Sequence, residues 1–307
     1  MNVRIESRRL DSLLVAFQRH LARTRGTHPL VQRNYTRRVR QYLDATFRRR
    51  RLDVKACDAA SLTEFVSRLA GRYRPSTVQI AVNGLRAFFR YLRAAGLRGD
   101  RLEDAVPSVP RPRLATLPRH LDERTLRRLL ASLRRSTPCE RRDRAMILCL
   151  ARLGLRAGEV ARIGLDDVDW RSGILTIRTR KTGRGARLPL PPDVARALVA
   201  YLRQGRPPTS ARSIFVLHHL RVGAPAEART VCDAVREALD RAGIHAPIHG
   251  PYVLRHTFAT HLIRRGASLE EIADILGHRS IATTQIYAKL DLDALRTVAS
   301  PWPEVTS

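Results

Sequence analysis

Acidic residues are scarce in this chain, and so is lysine. Its 307 residues include 28 Asp and Glu against 57 Lys and Arg, a formal net charge of +29, and lysine occurs only at Lys55, Lys181 and Lys289. Cysteine is also rare: Cys57, Cys139, Cys149 and Cys232 are scattered, with no CxxC pair and no Cys/His ligand spacing. That excludes a disulfide framework or zinc module as the organising device, and the four read as reduced core thiols. No run of about 18 apolar residues is available to cross a bilayer as a helix, and MNVRIESRRLDSLL has no signal-peptide pattern. There is no Walker loop and no carboxylate cluster at metal-ligand spacing, so chemistry driven by ATP or a divalent cation has no motif to rest on.

What remains is arginine. A charge excess of this size repels the chain from itself unless a polyanion neutralises it, and basic charge spread over a whole protein is the footprint of nucleic-acid binding. With no segment suited to a membrane, the expectation is a soluble, intracellular protein.

The length fits two domains comfortably. Leu10, Leu13, Leu14, Phe17 and Leu21 recur at helical spacing, as do Tyr35, Val39, Tyr42 and Leu43 before a break at RRRRLD. A third helix is predicted near residues 61–69 and a fourth from Pro75, carrying VQIAVNGLRAFFRYLRAAGL. On that last helix Arg86, Arg90 and Arg93 repeat at about one turn, a spacing that suits phosphate contact or a solvated face equally. Residues 106–120 hold several prolines between helical patterns and read as a linker, separating a helical domain over 1–105 from a second domain over 121–307. In the second domain helices are predicted at 122–133, 141–153, 158–163, 193–203, 227–242 and 252–264. GILTIRTRKTGRGARLPLP alternates on both arms of a Gly-Arg-Gly turn, as a hairpin does. Ser268 with Glu271 forms a capping box for LEEIADIL, Gly277 is a natural stop, and IATTQIYAKL is again helical.

Four fragments stand out in order: GLRAGEV at 154–160, Lys181 on the hairpin, YVLRHTFATHL at 252–262 and LGHRSIATTQIY at 276–287. Each alone is weak. Together they resemble the tyrosine recombinase (phage integrase-like) family, including its Xer-type and transposon-borne members, over most of the chain. The resemblance implies a mainly α fold with a small β-sheet: a helical, SAM-like N-terminal core-binding domain followed by a mixed α/β catalytic domain. It implies that Arg156 and Arg255 are the two catalytic arginines, Lys181 the hairpin lysine, His278 the late histidine and Tyr287 the nucleophile. It further implies a cytoplasmic enzyme that cuts and rejoins double-stranded DNA at specific sites, with no cofactor.

The chemistry needs these residue types. Without a metal, the charge on a pentavalent phosphorane must be met by other groups, and planar guanidinium forks suit its non-bridging oxygens. A phenolate attacks, and the phosphotyrosine conserves the ester for religation. The departing 5′-oxygen calls for a general acid such as the ammonium of Lys181.

One position departs from the family's pattern: Tyr252 stands three residues before Arg255, where a histidine or lysine is usual. A phenol donates a hydrogen bond to phosphate but is a poor base near pH 7, its reference pKa being about 10. Three explanations compete: water or a phosphate oxygen accepts the Tyr287 proton while Tyr252 holds the phosphate; His249 reaches in; or the site is slow or inactive, or Tyr252 has a packing role. His256 and His261 read as helix packing. The stripe of Leu292, Leu295, Val298 and Trp302 either covers the chain's own core or, as in the family, docks on a neighbouring protomer, which leads to a monomer in solution and a homotetramer on paired DNA sites. Two other readings stand beside recombination: a non-cleaving DNA-binding protein of the same fold, and a type IB topoisomerase-like activity.

Overall fold

In a computed structural model the chain is described over residues 2–47, 52–109, 120–178, 185–246 and 250–277. It divides into two compact units, Met1–Pro112 and Arg113–Ser307. The first contains α1 (Asn2–Arg25), α2 (Pro29–Phe47), α3 (Ala59–Arg72) and α4 (Pro75–Ala94). Leu14, Phe17, Leu21, Val39, Tyr42 and Leu43 are all buried, as helical spacing predicts, and they close on Val82, Leu85, Phe88, Phe89 and Leu92 of α4. The aromatic rings meet edge-on, Phe17 on Phe88 at 5.3 Å and Tyr42 on Phe65 at 5.4 Å between centroids, the orientation their quadrupoles favour.

This unit extends past residue 105. Val106 is 2 % exposed and packs in the same core, while Arg86 donates to the Val106 carbonyl and to Ser108 Oγ, both at 2.9 Å. Arg93 holds the buried carboxylate of Glu103 at 2.9 Å. Two of the three arginines repeated along α4 therefore have partners inside the unit; Arg93 is nonetheless exposed, as Arg90 is.

The second unit contains, in order, α5 (Glu123–Ala131), α6 (Pro138–Leu153), α7 (Ala157–Ala161), β1 (Val168–Asp169), β2 (Ile174–Ile177), β3 (Ala186–Pro189), α8 (Pro192–Gln204), α9 (Ala228–Arg241), α10 (Tyr252–Arg264) and α11 (Leu269–Leu276). The fold is mainly helical with one small antiparallel sheet of order β1-β2-β3 among the described residues. The predicted hairpin arms pair in register, Leu175 with Leu188 and Ile177 with Ala186; the Gly183–Arg184 part of its turn lies outside the described residues. The central α6 is buried almost all round from Ala145 to Leu153, as a helix enclosed by others must be. It starts three residues before the predicted position because Thr137 and Glu140 form a reciprocal capping box with proline in the first turn. All four cysteines are free thiols. No described helix is long and apolar enough to cross a membrane.

Candidate active site

Two helices of the second unit end in the same way. α6 closes at Gly154 with φ 61° and α11 at Gly277 with φ 62°, both left-handed, a conformation glycine adopts without the Cβ penalty. At Gly154 the reason is also spatial: a Cβ there would overlap the Phe258 ring and lie 2.9 Å from the Leu276 side chain. Each helix end leaves carbonyls without intrahelical partners and carries partial negative charge.

Arg255 joins the two ends. It sits one turn into α10, 3 % exposed, and donates from Nη1 to the Gly154 carbonyl at 2.6 Å and from Nη2 to the Leu276 carbonyl at 2.7 Å. A planar fork with two donors at fixed separation suits two acceptors on different helices; a lysine ammonium would have no such fork. Ala259 and Ile263 of α10 pack on Ile272 and Leu276 of α11 behind it.

Arg156 follows Gly154 by two residues and caps α7. The Glu159 carboxylate orients it: Oε1 accepts from its Nη1 at 2.7 Å and Oε2 from its backbone N–H at 2.8 Å. Glu159 is 4 % exposed while Arg156 is partly exposed, so a buried carboxylate fixes a guanidinium that still reaches solvent, unlike a fully solvated surface pair. Arg156 also donates from Nη2 to the Gly277 carbonyl at 3.2 Å. Arg156 and Arg255 thus both reach the last two residues of the α11 end, Leu276 and Gly277, the latter immediately before His278 in the sequence.

Tyr252 opens α10 and is 53 % exposed. Its ring stands edge-on to His256 at 4.7 Å between centroids. His256 is buried, and burial, followed by the charges of Arg255 and His120, pushes its pKa down to about 4, so it is neutral near pH 7 and packs beneath Tyr252. His261 is half-buried and likewise shifted down, mainly by burial. Thr257 ties α10 to the start of the unit by accepting from the Leu121 N–H at 2.9 Å.

Of the residues singled out in the sequence, the structure brings together Arg156 and Arg255 and sets Tyr252 one turn before Arg255 on the same helix. Lys181, His249, His278 and Tyr287 lie outside the described residues, as does the tail stripe of Leu292, Leu295, Val298 and Trp302. Sequence reasoning missed Glu159 as the group that fixes Arg156; the signal was present in GLRAGE, a carboxylate three residues after an arginine at a helix start. It also missed the bridging role of Arg255, which rests on separations of 101 and 21 residues that no local pattern encodes.

This architecture is that of site-specific recombinases. The XerH recombinase solved bound to palindromic difH substrate in a post-cleavage complex superimposes with a TM-score of 0.74 over 91 % of this chain and 82 % of that one, at 22 % identity. The phage integrase family model matches residues 119–293, and the chain belongs to that family, the tyrosine recombinases, enzymes that break and rejoin DNA strands. A Sinorhizobium fredii protein named as an integrase/recombinase, y4rA, is 40 % identical over 94 % of this chain and 70 % of its own length. Tyrosine recombinase XerA of Thermococcus kodakarensis is 31 % identical over 88 % of each.

Proposed function

We propose that this protein is a site-specific DNA recombinase that cuts each strand through a 3′-phosphotyrosyl intermediate on Tyr287 and needs neither metal nor ATP. The observation that carries the reading is the convergence of Arg156 and Arg255 on the end of α11, where His278 follows. In this reading the two guanidinium groups receive the non-bridging oxygens of the scissile phosphate, and the charge of the phosphorane is met by groups already held in place. Glu159 and the two helix-end carbonyls keep the forks from collapsing toward solvent between turnovers, so little reorganisation accompanies the chemical step. The N-terminal end of α10 adds its partial positive charge on the same side.

Tyr287 attacks phosphorus, the phosphorus–5′-oxygen bond breaks, and Lys181 protonates the departing oxygen; religation reverses each step. Tyr252, exposed at the first turn of α10, donates its O–H to a phosphate oxygen. The neutral His256 beneath it supplies packing, and water or a phosphate oxygen takes the Tyr287 proton. The working form is a homotetramer on two paired duplexes, assembled through the C-terminal tail, which is supported by the family's need for four active sites per strand exchange. A chain that elutes as a tetramer without DNA at low micromolar concentration would contradict that assembly.

The test is incubation with a nicked suicide duplex carrying the flanking sequences of the protein's own locus, with EDTA present throughout. An SDS-resistant protein–DNA band that disappears in Tyr287→Phe is the expected result. Specific binding of a recognised duplex without any band would instead support a non-cleaving DNA-binding protein.

A further inference from the structure

Most arginines of the second unit with a marked role are held by carboxylates or carbonyls. Arg212 pairs with Asp166 and Arg178 with Asp167, and Arg206 donates to three backbone carbonyls. One group keeps more freedom: Arg141 and Arg144 donate only to the Gln204 and Leu133 carbonyls, at 3.2 and 3.4 Å, and their neighbours Arg135 and Arg196 have no carboxylate partner among the described residues. Between the turn before α6, the first half of α6 and the length of α8 lies a cleft of about 330 Å³ lined by Arg135, Arg141, Arg144 and Arg196. Its floor is Ala197 and Ala200, whose small side chains leave the space open. Asp193 is the one carboxylate among the lining residues, and Arg152 already holds it at 2.8 Å.

Four guanidinium groups therefore share a cleft with a single carboxylate, which is already paired with Arg152 and offsets only part of the repulsion felt by Arg144. Arg135 and Arg196 are exposed at the rim, and neither is in an ion pair among the described residues. Arg144 is half-buried, its guanidinium donating to the Leu133 carbonyl at a long 3.4 Å. Its pKa is pushed down, by burial first and by the Arg135 charge second. Like charges gathered in partial burial oppose folding, and an anion entering the cleft would reverse that cost. Arginine forks match the tetrahedral oxygens of phosphate.

We propose that this cleft is a second phosphate-binding site, taking a backbone phosphate of duplex DNA away from the one at the candidate active site. Arg144 stands ten residues before Gly154 along α6 and its cap, so at about 1.5 Å per residue the two sites are roughly 15 Å apart along that axis. At about 3.4 Å per base-pair step that exceeds four steps, so the phosphate it holds lies outside the scissile position. The site anchors and orients the duplex and takes no part in the chemistry. The choice of DNA as the phosphate's source rests on the recombinase reading, whereas the binding measurement below does not require cleavage and so separates the two.

The experiment measures affinity of the full chain for a duplex of arbitrary sequence across a salt series. Arg135→Gln with Arg196→Gln removes only rim charges, and Arg212→Gln with Arg221→Gln, both paired with carboxylates, is the charge-matched control. The expected result is a salt slope reduced by about 0.9, the value for one phosphate contact, and affinity down roughly tenfold at low salt. The control leaves the slope near wild type. A rim variant indistinguishable from the control overturns the proposal. Ala200→Glu supplies a counter-charge from the floor and is expected to raise Tm while weakening DNA binding; a fall in both would mark the cleft as structural only. Thermal stabilisation by sodium tripolyphosphate that is lost in the rim variant, with the DNA slope unchanged, would assign the cleft to free polyphosphates and likewise overturn the DNA assignment.

Discussion

The second unit holds two groups of arginine that differ in how much freedom they keep. At the candidate active site Arg255 is locked between the Gly154 and Leu276 carbonyls and Arg156 is locked by Glu159. In the cleft between α6 and α8, Arg135 and Arg196 stand at the rim outside any ion pair among the described residues. Guanidinium groups that meet a transition state gain from being fixed beforehand, because no reorganisation is left for the reaction to drive. Groups that bind a backbone phosphate gain chiefly from displaced counterions, and adaptable side chains serve that purpose. One residue type thus supports two tasks, and its hydrogen-bond partners assign them.

The comparison breaks most visibly at Arg255. Arg255→Ala deletes charge-assisted bonds to two helix ends, worth about 1.5–3 kcal/mol each when buried, so unfolding free energy should fall by roughly 3 kcal/mol or more. Covalent adduct formation should drop by about 10³-fold or more, with the size set by the loss of a preorganised donor. Arg255→Lys keeps the charge without the fork, and the account expects it to recover part of the stability but little of the adduct; full recovery of both would remove the argument from fork geometry. Gly154→Ala attacks the same joint from the backbone. A left-handed φ and the overlap with Phe258 and Leu276 should cost about 2 kcal/mol or more, read as a lower chemical-denaturation midpoint.

Glu159→Gln sharpens the contrast. It is nearly isosteric, so Arg156 stays in place but loses its buried counter-charge; adduct formation should slow about 10- to 100-fold while DNA affinity holds. The rim pair Arg135→Gln and Arg196→Gln should do the converse, weakening DNA roughly tenfold at low salt with single-turnover cleavage at saturation unchanged.

The smallest effect is on pH. His256, at about 4 in the fold against 6.5 unfolded, binds its proton more readily when unfolded. Stability is therefore complete above pH 6.5 and declines as pH falls from 6.5 toward 4. At pH 5.5 the loss is about 1 kcal/mol, and His256→Gln should flatten that part of the pH–Tm curve. His218, pushed down to about 4 first by burial and then by Arg142, works in the same direction, so the curve does not become fully flat.

Helical periodicity located α2, α4 and α11 because their apolar residues recur every three to four positions, and the hairpin arms because theirs alternate. It placed the start of α6 late because the capping signal at Thr137 and Glu140 precedes the apolar run by several residues. It missed β1, whose two residues are too short to show a period. Arg156 and Arg255 were legible as motifs but not as a joined structure. A guanidinium that is 3 % exposed between two helix ends is a product of tertiary folding, and its two acceptors become its neighbours only once α6, α10 and α11 have packed. The arginine cleft was illegible for the same reason: its residues come from a turn and two helices, and in the sequence they look like any other arginines of a chain carrying 57 Lys and Arg.

The most direct test of the account is to trap the adduct on a suicide duplex in EDTA, digest it with trypsin and nuclease, and locate the remaining nucleotide by mass spectrometry. The account predicts a 3′-phosphonucleotide on Tyr287, in the peptide SIATTQIYAK. A nucleotide on Tyr252, in the peptide that ends at Arg255, would contradict the assignment of nucleophile and phosphate anchor, and with it the role given to the pinned arginine pair.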